Sequence, residues 1–334
     1  MLICFSFLLL STSCESPYST DFYEPHLLAH PSRKITDPIL FISNAHHGFQ
    51  LYSMNDNGGD IRQWTFDSLQ QVYGANWSPD GRLIALTMDK GIVIIDATTL
   101  YKIPITKPYF SQDDYDYGPA GGAVWSPDSK RLAYTRMFLP EFFGADGIFT
   151  INVDGSHEIC LTHTPDSSAY VTDWSRDGLS LLGWAYGWAV LDSTQRAYPY
   201  DKIVWFDLQG RFLRTWGDIG FTIYEPIYST AGDKIAFISS KPQGLNHIYQ
   251  GVYVMNMDGS GDTLVSRQPH TDNEPVSFSG DDTKLLYNAT GPAYGWGGLY
   301  GLILILDFQS GEVKDITPFR GDSVYSYATS WRRR

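Results

Sequence analysis

The chain has 334 residues, a formal net charge of −13, 15% aromatic residues, 31 glycines and 18 prolines. Its only run of three basic residues is the terminal Arg332-Arg333-Arg334, so the clustered Lys and Arg that bind phosphate backbones are missing and no nucleic-acid partner is expected. Abundant glycine and proline among aromatics favour many short strands joined by tight turns.

The first stretch, "MLICFSFLLLSTSCES", is an apolar run followed by small residues. That pattern reads as the h-region and cleavage site of an export signal, too short to cross a bilayer. Residues 1–13 are therefore assigned to a signal peptide, 14–37 to a tether and 38–334 to a single folded domain. With Cys4 inside the signal and Cys14 at its end, Cys160 stands alone, and no disulfide framework is expected. Cys160 lies in the strand-like "EICLTHT" and is expected to be a small buried hydrophobe.

From residue 76 onward one motif recurs. "NWSPDGRLIAL" around Trp77 returns as "VWSPDSKRLAY" at Trp125 and "DWSRDGLSLLG" at Trp174. It fades to "IYSTAGDKIAF" at Tyr228 and "SFSGDDTKLLY" at Phe278, and ends in "TSWRRR" at Trp331. The anchors are spaced by 48, 49, 54, 50 and 53 residues, a period that belongs to repeat architectures. A strand follows each turn, at 83–89, 131–137, 179–185, 234–240 and 284–290. Another comes next at 91–99, 147–155, 202–210, 251–259 and 301–311, and then a further one such as 158–164 or 312–319. The segment before the next anchor completes four. Four antiparallel strands in about 50 residues make a propeller blade.

The N-terminal "ILFIS" 39–43 and "GFQLYSMND" 48–56 have no anchor strand ahead of them, whereas "SVYSYATSW" 323–331 has no blade after it. Pairing the last strand with the first blade supplies both needs and removes two open edges. The fold class is thus all-β: a six-bladed β-propeller of four-stranded antiparallel blades, closed by its C-terminal strand. The recurring aromatic is expected to pack between blades, and Pro-Asp-Gly to make the turn from first to second strand.

Trp77-Ser78-Pro79-Asp80-Gly81, with Ile84-Ala85-Leu86 beyond it, resembles the WD-type repeat of TolB-like propellers, as does "VYVMNMDGSGDTLVS" 252–266. The resemblance covers residues 38 to 331. TolB itself carries an α/β domain ahead of its propeller, where this sequence has room only for a tether. Cys14 after Leu10-Ser11-Thr12-Ser13 resembles a bacterial lipobox, which implies lipidation of Cys14 and a periplasm-facing place in the cell envelope. Plain secretion is the alternative.

Turns from first to second and from third to fourth strand are tight, so function is sought on the opposite face. There the connections are long: 111–122, 136–147, 183–202, 239–251 and 288–301. They carry Tyr115, Tyr117, Phe143, Trp184, Trp188, Tyr200, Tyr294 and Trp296, and acids in or beside this face include Asp113, Asp201, Asp272 and Glu274. Aromatic anchors rimmed by polar groups suit a protein or peptide partner, and the same mixture suits a glycan. Oligogalacturonate lyases are propellers with a similar repeat that use histidines around a metal. That resemblance implies an alternative in which His163, His247 and His270 hold one divalent metal at the channel mouth. No G-x-S-x-G elbow is present, and "NDNGGD" 55–60 lacks EF-hand spacing and reads as a hairpin turn. The expectation is a monomeric, non-catalytic, envelope-anchored propeller without a cofactor, touching membrane only through its lipid. The alternative is a metal-dependent, glycan-directed enzyme.

Overall fold

The computed structural model describes residues 38–332, apart from His47, 67–69, 89–90, 107–115, 120–121, 139–146, 163–167, 191–196, 218–221, 240–249, 267–271, 293–298 and 321–323. For 116–119, 137–138, 168, 187–190, 197–200, 272–273, 290–292 and 299–300 it gives the backbone alone. The signal, the tether and Cys14 lie outside the described residues.

Six sheets of antiparallel strands form the ring. Blade 2 shows the pattern, running from Val72–Trp77 at the axis through Leu83–Met88 and Gly91–Asp96 to Lys102–Pro104 outside. Blades 4, 5 and 6 repeat it, with innermost strands Ser168–Trp174, Ile223–Tyr228 and Asp272–Phe278. In blade 3 the innermost position is shared by two pieces, Asp116–Pro119 and Val124–Trp125. Blade 1 is built from both ends of the chain. Its innermost strand is Ser326–Trp331, paired with Ile39–Ser43 from Ile39↔Trp331 to Ser43↔Ser326. The closure expected from the unmatched strands is what the chain adopts.

A blade in this ring is apolar on both faces, so it needs a neighbour on each side. Six hydrophobic clusters fill the spaces between consecutive blades, and each contains one anchor. Trp77 packs between blades 1 and 2, Trp125 between 2 and 3, and Trp174 between 3 and 4. Tyr228, Phe278 and Trp331 do the same between 4 and 5, 5 and 6, and 6 and 1. Polar contacts stitch the same seams. The Trp125 indole N–H donates to Asn76 O at 2.9 Å, and Thr172 Oγ1 donates to Pro226 O at 2.5 Å. The fully buried Asn288 donates to Ala328 O at 2.9 Å and accepts from Ala328 N at 2.8 Å.

The turn after each anchor owes its shape to a serine. Ser78 Oγ donates to Asp80 Oδ1 at 2.7 Å and accepts the Leu83 N–H at 2.9 Å. Ser126, Ser175 and Ser279 repeat both bonds. The fifth residue of the motif turns left-handed in every case, at Gly81 (φ 66°), Ser129 (59°), Gly178 (73°), Gly232 (78°) and Asp282 (57°), so the preference for glycine there is conformational. The serine hydroxyls hold Asp128, Asp177 and Asp281 below the usual carboxylate range, Asp281 at about 2. The third-to-fourth turns use the last residue of the third strand in a similar way: Asp96 Oδ1 accepts the N–H groups of Thr98 and Thr99, both at 2.8 Å.

Three expectations need correction. Much of 183–202 is not loop, because Ser180–Val190 and Ala197–Asp207 form a hairpin paired out to Val190↔Ala197. The hairpin of Lys284–Pro292 with Leu299–Asp307 likewise claims both ends of 288–301. Trp184, Tyr186 and Trp188 alternate with small residues, as a pleated ribbon rising above the blade requires, and the glycines among them read as loop. The outermost strands are shorter than 158–164 and 312–319, at Ile159–Cys160 and Val313–Asp315. Cys160 sits on such an outer edge and is exposed, not buried, with its Sγ donating to Thr162 O at 3.1 Å.

Candidate functional site

The innermost strands of all six blades enclose an axial cavity of about 890 Å³. Each strand runs from the long-loop face towards its anchor, so the anchors ring the turn end of the channel and the residues before them ring the long-loop end. Five innermost strands carry a bulge before the anchor, at Tyr73, Thr172, the Glu225-Pro226 pair, Val276 and Thr329. A bulge places two residues opposite one and redirects the side chains around it. Tyr73, Thr172, Glu225, Val276 and Thr329 all line the cavity.

At the mouth, blade 4 contributes a stack of rings. Tyr170 and Trp184 are register partners on one face of the sheet, their rings 4.6 Å apart and 13° from parallel. Tyr186 continues the stack 5.7 Å from Trp184 and is exposed, while Tyr224 of blade 5 meets Trp184 edge-on at 5.6 Å. Gly183 permits the close pairing beneath: a Cβ there would lie 2.0 Å from Tyr170 O. Across the channel, Tyr327 and Tyr73 line the wall from blades 1 and 2, and Tyr327 is backed by Tyr325 at 5.5 Å and Phe49 at 6.3 Å.

Two carboxylates stand among these rings, and each precedes a proline: Glu225-Pro226 in blade 5 and Glu274-Pro275 in blade 6. Glu225 has φ 51°, a left-handed conformation rare for a residue with a side chain and rarer before proline, and part of its strand's bulge. Both carboxyls are shifted upward. Surrounding protein is the larger cause for Glu274, with the charge of Glu225 second, and together they raise it to about 8. Glu225 is raised by its surroundings too, partly offset by the Trp184 indole N–H, which lies near it without meeting hydrogen-bond geometry to any acceptor. Glu274 is nevertheless exposed to the cavity. Protein encloses that narrow space on all sides, so the carboxylate touches solvent yet is poorly hydrated, and the upward direction holds while solvent screening reduces its energetic weight. Asp173 is engaged structurally, accepting the Tyr228 N–H at 2.9 Å and its neighbour Trp174 N–H at 2.8 Å. Arg176, the basic group among the lining residues, donates to Ala231 O at 3.3 Å near the turn end.

A raised carboxyl favours folding when protonated. The stability it contributes is present below the ordinary glutamate range and is lost as pH rises from about 4.5 to about 8. Glu274→Gln removes that loss. Its melting temperature is expected to match wild type near pH 4 and to exceed it by roughly 2 °C near pH 9. Parallel melting curves at both pH values would refute this assignment.

Of the aromatic residues singled out in the sequence, Trp184 has a described side chain, and it lies on a strand at the channel mouth. Trp188 and Tyr200 fall on the same rising hairpin and Tyr117 on the short strand Asp116–Pro119, with backbone alone described. Tyr115, Phe143, Tyr294, Trp296, His163, His247 and His270 lie outside the described residues. Asp201 belongs to the hairpin itself, opposite Tyr186, and is buried there, accepting the Ile223 N–H at 3.4 Å, with burial raising its carboxyl. Among the described residues no group of three or more His, Cys, Asp or Glu is placed to hold a metal ion. His46 contacts Tyr52 Oη through Nδ1 at 3.1 Å and meets Phe319 edge-on, which is local packing. Glu225 was not among the acids read from the sequence, whereas Glu274, on the matching innermost strand of the next blade, was. The signal was the Glu-Pro dipeptide repeated on consecutive innermost strands, 49 residues apart.

These features define a closed six-bladed β-propeller with an aromatic, acidic mouth on its long-loop face. The fold is that of TolB-like propellers. TolB from Acinetobacter baumannii superposes with a TM-score of 0.62 at 17% identity over 88% of this chain and 67% of that one. A putative TolB from Agrobacterium tumefaciens gives 0.60 at 16% identity over 88% and 98%. An oligogalacturonate lyase in complex with manganese gives 0.53 at 11% identity over 82% and 72%. In sequence comparisons, no family model and no curated protein matches the chain.

Proposed function

We propose that the chain is a non-catalytic binding propeller of the bacterial cell envelope, held by a lipid on Cys14 and facing the periplasm, that receives a protein or peptide partner at its long-loop mouth. The observation that carries this reading is the stack of Tyr170, Trp184 and Tyr186, which runs from the channel wall to an exposed rim. Rigid aromatic anchors beside a cavity supply large contact area at small entropic cost, the usual chemistry of interface hot spots. The fold-level likeness to TolB structures is consistent with it, without transferring any partner.

The test compares wild type and Trp184→Ala as baits in envelope extract, with bound proteins identified by mass spectrometry. A partner captured by wild type should be retained at least tenfold less by the variant, as for a hot-spot residue worth 2 kcal/mol or more. Equal capture by both baits removes the mouth from the function. A second reading, a glycan-directed enzyme, draws on the two raised carboxyls, which resemble general acid–base pairs. Those same carboxylates would repel a polyanionic sugar, so this reading requires a neutral glycan.

A further inference from the structure

We infer that the mouth of the channel is built to receive a basic side chain of its partner, an ammonium or guanidinium group held between Glu225 and Glu274 and flanked by the rings of Trp184 and Tyr327. This rests on the reading of the mouth as a peptide-binding site and names the chemistry it selects.

Two observations converge. The first is charge. Glu225 and Glu274 line one cavity, the charge of Glu225 adds to what raises Glu274, and no ion pair joins either of them to a Lys or Arg among the described residues. Arg176, the basic lining residue, is engaged at the opposite end. A cation entering between the two carboxylates would relieve their repulsion and their poor hydration together. The second is the walls. Trp184, Tyr170, Tyr327 and Tyr73 present rings to the same cavity, and aromatic faces beside carboxylates are the surroundings in which organic cations are best stabilised. A bare divalent ion is a poorer match, since calcium takes six to eight oxygen ligands and no cluster of three acidic or metal-binding side chains is present among the described residues.

The geometry also explains the strained Glu225. Its left-handed φ before Pro226 belongs to the bulge that sets it on the channel wall, in the manner of strain retained at binding sites.

The test uses the folded full-length chain and a set of glycine–serine peptides that differ only in a central arginine, lysine, norleucine or glutamate. Binding is followed by calorimetry and tryptophan fluorescence. Arginine or lysine peptides should bind at least about tenfold more tightly than those carrying norleucine or glutamate, and the Glu225→Gln/Glu274→Gln variant should bring the set level. Equal affinity across the set overturns the inference, as does no binding of any member at roughly millimolar concentration or a basic preference that survives in the double variant. Should the double variant fail to unfold cooperatively, Glu274→Gln alone serves, with a smaller but same-signed loss. Failure here is separable from failure of the proposed function. If Trp184→Ala loses its envelope partner while the double variant keeps it, the cation site falls and the binding mouth stands.

Discussion

A chain ending at Arg320 is expected not to fold cooperatively. Removal of Ser326–Trp331 takes away the innermost strand of blade 1 and leaves Ile39–Ser43 with an unpaired edge facing the channel. It also empties the seam between blades 6 and 1, where Trp331 and Ala328 pack on Ile39, Phe41, Leu286 and Ile303. Asn288, buried and doubly bonded to Ala328, would lose both partners. A large buried aromatic is worth about 3–5 kcal/mol and each stranded buried polar group about 1–3, so their sum rivals the roughly 5–15 kcal/mol that holds a whole domain together. Size-exclusion chromatography and chemical denaturation would check this. A sharp unfolding transition in the truncated chain would show that five blades and a remnant suffice, and that closure is dispensable.

Trp174→Ala should produce the largest effect of any single anchor substitution that leaves the closing strand intact. The indole fills the seam between blades 3 and 4 among Val124, Ile148, Leu181 and Phe206, with the Arg131 guanidinium 5.1 Å from its ring. The expected cost is about 3–5 kcal/mol, read as a lower denaturant midpoint at unchanged m-value. Pro79→Ala in the equivalent turn of blade 2 should cost less than about 1 kcal/mol, because proline there mainly restricts the unfolded chain. A proline effect as large as the tryptophan effect would mean that turn geometry, not interblade packing, governs the recurrence of the motif.

The fold was legible because a ring of blades repeats one physical solution. Each anchor must fill one seam, each serine must brace one turn, and each following strand must be apolar on both faces. Those demands recur every fifty or so residues and survive the replacement of Trp by Tyr228 or Phe278. Ring closure was legible for a related reason, since unmatched strands at the two ends of a sequence have few other places to pair. The site was less so. Trp184, Tyr186 and Trp188 do alternate, but Gly183, Gly187 and Pro199 among them read as loop, and the stack of Tyr170 on Trp184 depends on pairing with a separate strand. Glu225 owes its place to a bulge and a left-handed backbone, neither of which leaves a periodic trace. Cys160 was misjudged because its apolar flanks suggested a core strand, whereas an outermost strand lacks a neighbour on one edge.

The break in the ring falls where a sixth anchor turn would be: Trp331 closes one strand, Ile39 opens its partner, and the Arg332 N–H donates to Pro38 O at 2.7 Å. Both ends of the folded chain therefore leave from the turn face, side by side, with the aromatic mouth on the other side. The molecule is a bowl gripped by its base, and any support attached at either end presents the opening outward. New ends cut into any other anchor turn, with the present ends joined, should close the same ring by a different blade.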